Sequence, residues 1–289
     1  MSTKRELIKT RQNEEGLLKI QFYARKMFNK AESDGNIAWI MCFLSALAIL
    51  IPSSAGLFTQ TIIPIICDVL ALVASLFQAN HISKAADHRA YFDSYVLDIE
   101  YDHYTINDRR RIHEEAEECC RKYADECTIQ IKNTGFDDPP GVKDWYELSG
   151  ECADKDVQLE CQSQNAWWDE RLLKTRILIL IVVSVLIIIG AFLIKTSFGS
   201  GVSLRIILSS AIIVKAVERI IQEWKYLKLS HKIDGAVSVM GNGATIENIQ
   251  ELQKLINERR RCNVVGMNII HKFRAKSLSN IYRSRKQHR

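Results

Sequence analysis

The sequence predicts an all-α polytopic membrane protein, with four transmembrane helices in two pairs and a helical cytoplasmic domain. Three observations predict it. Apolar residues are gathered into blocks, Ile37–Phe58 with Ile62–Ala79 and Ile177–Ile194 with Val202–Val217. Strongly charged stretches separate and follow these blocks, and the basic residues favour one set of connections. A soluble domain spreads its apolar residues at helical or strand period, whereas a bilayer calls for solid runs of about 20. The averages over 289 residues, 47% hydrophobic and 25% charged, would suit a soluble protein. The segregation argues against a wholly soluble enzyme. Four Pro and thirteen Gly argue against a disordered or fibrous chain. The polar first thirty-six residues, lacking a short apolar core, do not read as a secretory signal.

Taken in order, residues 1–36 form a leading cytoplasmic segment whose Leu7–Ala31 stretch reads as an amphipathic helix. Leu7, Leu17, Leu18, Phe22, Met27 and Phe28 give its apolar face, and Gly16 weakens it. It either packs on the cytoplasmic helices or lies in the membrane interface. Residues 37–79 are the first transmembrane pair. No Lys, Arg, Asp or Glu occurs from Ile37 to Cys67, and the second span, starting after Pro64, carries one acid, Asp68. Residues 80–174 are a cytoplasmic helical domain. His81–Ile99 continues the second span, and Asn107–Asn133 is a helix capped by Asn107 or Asp108. Asp137–Gly141 is a turn, and Gln158–Thr175 is a helix leading into the third span. Residues 175–221 are the second pair. Its first member is almost pure Ile, Leu and Val; its second carries Arg205 and Lys215, both able to snorkel toward headgroups. Residues 222–289 are a cytoplasmic helical tail. Its first helix runs to about Asp234, Gly241-Asn242-Gly243 breaks the chain, and Thr245 caps a final helix carrying Ile249, Leu252, Leu255 and Ile256.

Orientation follows from Lys and Arg near the spans. The leading segment holds Lys4, Arg5, Lys9, Arg11, Lys19, Arg25, Lys26 and Lys30, whereas Pro52–Thr61 holds none. The middle segment has Lys84, Arg89 and Arg109-Arg110-Arg111, and the tail is basic. Both termini and the middle segment are therefore expected on the cytoplasmic side, with two short external links.

The inventory of chemistry is sparse. There is no phosphate-cradling Gly-rich loop, nucleophile elbow or paired His on a helix, so neither a catalytic residue nor a cofactor is expected. Eight cysteines in a reducing compartment are expected as thiols. His113, Cys119, Cys120 and Cys127 lie close together but lack Cys-x-x-Cys spacing, so they read as packing residues rather than zinc ligands. Asp68, several residues inside a span, costs roughly 2.5–3.5 kcal/mol to insert at the bilayer centre. It either packs against other helices through a hydrogen bond or lines a pore, with Lys215 a candidate partner. Trp145-Tyr146 and Trp167-Trp168 are interfacial anchors or stacking platforms for a nucleobase. Arg109–Arg111 and Arg259-Arg260-Arg261 are solvated faces, contacts to anionic lipid, or clamps for phosphates.

Several strings resemble the SMODS-associating four-transmembrane effector family. They are Arg11-Gln12-Asn13-Glu14 and Tyr23-Ala24-Arg25-Lys26, Ala85-Ala86, and Phe92-Asp93-Ser94-Tyr95-Val96-Leu97. Lys143-Asp144-Trp145-Tyr146, the run Cys161 to Asp169, and Leu252–Arg274 continue the series in order. Ser163 stands where the family usually has Arg, and Cys262-Asn263-Val264 lacks its usual Asn-Pro. The resemblance implies an effector in the bacterial inner membrane, encoded beside a cyclic-oligonucleotide synthetase of CBASS-type antiphage systems. Its partners would be the lipid bilayer, a cyclic oligonucleotide made by the nucleotidyltransferase of the same operon, and further copies of itself. Signal-driven opening of a pore would cause abortive infection. The rivals are an interaction scaffold without pore activity and a membrane-anchored enzyme.

Overall fold

The structure, a computed structural model, describes residues 3–47, 56–148, 156–167, 181–182, 211–240 and 244–264, without the side chains of 57–60, 166 and 167. Among these residues it is all-α, with one isolated bridge between Thr134 and Lys143. The third span predicted at Ile177–Ile194 lies almost wholly outside the described residues. So do Arg205 and the fourth span up to Ala211.

Helix α1 (Lys4–Arg11) opens with a capping box: the Thr3 hydroxyl accepts from the Glu6 N–H at 3.2 Å, and the Thr3 N–H donates to the Glu6 carboxylate at 3.1 Å. The predicted continuous helix over Leu7–Ala31 is broken at Gln12–Glu14. The Gln12 side chain binds Tyr146, and the Asn13 side chain binds Asp144 while also donating to the Lys9 carbonyl. Helix α2 (Glu15–Leu47) then runs on into the first apolar block. Gly16 has a packing reason: a Cβ there would lie 3.3 Å from the His113 ring.

Helix α3 (Gly56–Leu97) joins the second span to the expected His81–Ile99 helix. It starts at Gly56 and passes through Pro64 rather than beginning after it, a proline placement that membrane helices tolerate. At its end the Ile99 N–H reaches the Ser94 carbonyl at 3.0 Å while Asp98 turns left-handed at φ 57°. That pattern satisfies carbonyls the helix would otherwise orphan. A short 3₁₀ turn follows at Tyr101–His103.

Helix α4 (Ile106–Lys122) is capped by Thr105, not by Asn107 or Asp108. Asp108 is the third helical residue and closes a reciprocal box. The stretch expected to run from Asn107 to Asn133 breaks at Tyr123, where α5 (Ala124–Lys132) begins. This break brings Cys120 and Cys127 to a Cα separation of 5.4 Å, where they are paired as a disulfide. The expectation of thiols throughout is corrected at that pair. The turn at Asp137–Gly141 is present and contains a cis Asp138-Pro139 bond. Only glycine fits at 141, because a Cβ would fall 1.7 Å from the Asn133 carbonyl oxygen. Helix α6 (Val157–Trp167), α7 (Ala211–Met240) and α8 (Ile246–Arg260) complete the described elements. Thr245 caps α8 as expected.

The described residues fall into two compact units. The first combines Met1–Asn29, His81–Asp169 and Lys228–Arg261; the second combines Lys30–Asn80, Glu170–Leu227 and Cys262–Arg289. The first has a conventional apolar core that includes Ile20, Phe22, Phe92, Val96, Ile112, Val157 and Ile249. Between α2 and the α4–α5 pair, Lys19 meets Glu117 at 2.8 Å and Lys26 meets Glu126. The second unit inverts the soluble pattern. Small residues are buried: Ala38, Cys42 and Ser45 on α2, Ala71 and Ala74 on α3, Ala216 on α7. Large apolar residues face outward, among them Phe43, Ile66, Leu72, Leu76, Phe77 and Ile221. Small residues between helices and large ones outside are what a lipid solvent selects. Among the described residues the Thr61–Leu97 stretch of α3 is long and apolar enough to cross a membrane.

A buried polar network as the candidate functional site

In the first unit the polar groups converge on Asp93, which is 1% exposed. Helix α3 places this carboxylate on its buried face. The Tyr146 hydroxyl donates to one carboxylate oxygen at 2.7 Å, and the Gln253 amide to the other at 3.0 Å. Arg260, from the last turn of α8, pairs with that second oxygen at 2.6 Å. Burial, reinforced by the Asp93 charge, raises the Tyr146 phenol well above its ordinary range, so it stays a donor. Tyr146 is also held from behind. Its N–H donates to the Gln12 side-chain oxygen at 2.8 Å, and the Gln12 amide returns a bond to its carbonyl at 3.4 Å. Asn165 donates to the Tyr146 hydroxyl at 3.2 Å, and Arg259 donates to the Asn165 carbonyl. Gln162 extends the network from α6 to the Gln253 side chain and the Ile249 carbonyl, each at 3.1 Å.

Of the predicted candidates, the structure brings together Trp145, Tyr146, Arg259 and Arg260. Trp145 stacks on Arg89, with the guanidinium carbon 4.2 Å from the ring centroid. Arg261 is separate and meets Asp87 at 3.0 Å near the surface. The Arg109–Arg111 run divides by role. Arg109 donates to the Tyr104 and Tyr101 carbonyls at 3.0 and 3.2 Å and lies over the Tyr101 ring. Arg110 and Arg111 pair with Glu114 and Glu115 one turn along α4. The Trp167 side chain and Trp168 lie outside the described residues. Cys120 is bonded to Cys127, and His113 meets the Tyr91 hydroxyl at 3.1 Å.

Asp93, Arg89, Gln12, Gln162 and Gln253 were not singled out by chemistry, yet all but Arg89 lie in strings that carry the family resemblance, and Arg89 falls between two of them. Gln12 and Asn13, Asp93, Asp144 to Tyr146, and Gln162 to Asn165 bind one another across the first unit.

The second unit holds a separate polar group. Lys215 donates to the Ser75 hydroxyl at 2.9 Å and to Glu218 at 3.2 Å. Arg219 pairs with the fully buried Glu223 at 2.9 Å and donates to the Val264 carbonyl at 2.6 Å. Trp39, Gln78, Gln222 and Asn263 join Lys215, Glu218 and Arg219 around a narrow, open crevice. The suggested Lys215–Asp68 partnership is absent, because Ser75 lies about two turns past Asp68 on α3. One Asp68 carboxylate oxygen is closed off from solvent without a hydrogen-bond partner.

The family described as SMODS-associating 4TM effector domain matches residues 6–280. The chain belongs to this family. No curated protein and no solved structure matches it. Membership makes the chain a member of a family of four-transmembrane effectors, and the outward-facing apolar side chains of the second unit agree with a membrane protein.

Proposed function

We propose that the chain is a membrane effector of CBASS-type antiphage defence. Its first unit receives a cyclic-oligonucleotide signal in the cytoplasm, and copies of its membrane helices assemble to breach the bacterial inner membrane. A neighbouring nucleotidyltransferase would supply the signal. The family match over residues 6–280 carries this reading. Support from the fold is specific. Helix α3 bears both Asp68 in its apolar stretch, one oxygen of which has no partner among the described residues, and Asp93 at the centre of the polar network. A ligand that disturbs the contacts of Asp93 therefore acts on the helix that carries the span. Four spans are too few to enclose a wide pore, so oligomerisation is the route to one. The activity is permeation rather than turnover.

Purified protein in dye-loaded liposomes provides the test, with and without a panel of cyclic di- and trinucleotides. Release of dye on adding one of them is the expected result. Stable binding without leakage would favour the scaffold reading, and leakage equal in all conditions would remove the ligand from the account.

A further inference from the structure

Arg89 precedes Asp93 by one turn of α3, and its guanidinium makes no hydrogen bond or ion pair among the described residues. Its contacts are aromatic: the guanidinium carbon is 4.2 Å from the centroid of Trp145 and 5.5 Å from that of Phe28. Nε is closed off from solvent without a partner. The carboxylate that would neutralise it, Asp93, is already engaged by Arg260, Tyr146 and Gln253. Arg25, one turn before Phe28 on α2, spends its donors on neutral acceptors, the Gln130 side chain at 3.2 Å and the Pro140 carbonyl at 2.7 Å. Arg89 thus feels two like charges, Arg260 and Arg25, and one opposite charge, Asp93. Burial, then the Arg260 charge, bring Arg89 down to about 9, with Asp93 opposing, so it is still a cation at pH 7.

A fold with only packing to gain has little use for this charge, since an enclosed cation bonded to no anion is destabilising. Aromatic faces above the guanidinium plane hold it rigidly and leave its N–H edge for a planar, bidentate acceptor. Phosphate oxygens match that edge.

We propose that Arg89, stacked on Trp145 and flanked by Arg25 and Arg260, is the seat of a phosphodiester anion, supplied by the cyclic oligonucleotide. The inference rests on the functional reading above and names the residue that receives the ligand. The incoming charge also offers Arg260 a further acceptor, in competition with Asp93.

The test uses the full chain in phosphatidylcholine nanodiscs, melted alone and with pyrophosphate, cyclic di-AMP, cyclic GMP-AMP or cyclic tri-AMP. The parent is compared with Arg89→Met, Arg89→Lys and Trp145→Phe. Without ligand, Arg89→Met is expected to melt at or above the parent, because an uncompensated charge is gone. The dose giving half the ligand-induced shift is expected to rise at least tenfold in Arg89→Met and less in Arg89→Lys. A melt well below the parent, or an unchanged dose, would overturn the seat and leave Arg89 a structural residue. So would a parent that no probe stabilises. Nanodiscs containing phosphatidylglycerol form a second arm. Stabilisation there that requires Arg89, with none from the nucleotides, keeps the anion seat but assigns it to a lipid headgroup. Leakage measured in parallel separates the two proposals. Equal nucleotide-triggered leakage from parent and Arg89→Met sinks the seat alone, whereas Arg89-dependent binding without leakage sinks the pore alone.

Discussion

Asp93 accepts from groups that lie far from it in sequence, Tyr146 at a separation of 53, Gln253 at 160 and Arg260 at 167. Removing its charge takes the carboxylate from the largely enclosed Arg260 guanidinium, and breaking a buried pair from one side costs about 3–5 kcal/mol. Asp93→Asn should therefore lower stability by an amount of that order in denaturant or thermal melts. Adding Arg260→Met should recover part of the loss; additive losses in the double variant would deny the coupling. His88 gives a pH signature. Its ring is buried and stacked on Tyr23 at 4.0 Å; Nδ1 donates to the Lys84 carbonyl at 2.8 Å, and Nε2 lies 3.5 Å from the Glu115 carboxylate. Burial holds it below the ordinary histidine range, so the unfolded chain takes up its proton first as pH falls. Its contribution is complete above about pH 6.5, the unfolded value, and is lost as pH drops below that. His113, lowered in the same way, adds to this slope. Melting temperature should fall from pH 7.5 to 5.5, and less steeply in His88→Phe; identical slopes would count against it. Sequence reasoning reached Tyr146 and Arg260 because clustered aromatic and basic residues invite attention. It missed Arg89 and Asp93, single charges whose meaning depends on partners that only folding brings near.

At the scale of elements, most of the helices were legible because their signals are local. Thr245 with Asn248 three residues later announces α8, and an apolar run whose one charge is Asp68 announces the membrane stretch of α3. The breaks were less legible. Gln12 and Asn13 suit a helix by propensity, yet their side chains find better partners at Tyr146 and Asp144, and the helix yields. Tyr123 parts α4 from α5 with no glycine or proline to mark it. The same helix α3 hosts the permeation hypothesis. Asp68 has a closed-off oxygen without a donor, and Lys215, its proposed partner, is committed to Ser75 and Glu218. Asp68→Asn keeps shape while removing the charge. Reduced toxicity or altered ion preference is expected, at normal insertion and oligomer size. Conductance and toxicity equal to the parent would make Asp68 a packing residue.

The whole molecule shows two patterns of burial in one chain. Leu252, Ile256 and Phe22 are hidden in the first unit, as water demands, whereas Leu76 and Phe77 face outward in the second, as lipid permits. Block composition foretold this division. It could not foretell that residues 1–29, 81–169 and 228–261 fold together, since such pairing is invisible to any window along the sequence. Topology remains directly testable. Reporter fusions at Ser200 and after Arg289 should fall on opposite sides of the membrane, because basic residues are concentrated in the leading segment, the middle segment and the tail. Reporters on the same side would refute the four-span arrangement.

The long reach of Asp93 also sets a clock on synthesis. Chains are made at about 5–20 residues per second, and domains generally fold as units while emerging. Here the first unit has its opening helix and the Asp93 segment early, but its closing ligands, Gln253 and Arg260, arrive only after the second apolar pair has been made. A nascent chain still being inserted therefore lacks the closed Asp93 network of the first unit. A product stopped at Met240 should insert in the membrane yet be readily cleaved by protease across residues 81–148, and should be harmless to the cell making it. Toxicity of that fragment equal to the full chain would show that the completed first unit is not needed for it.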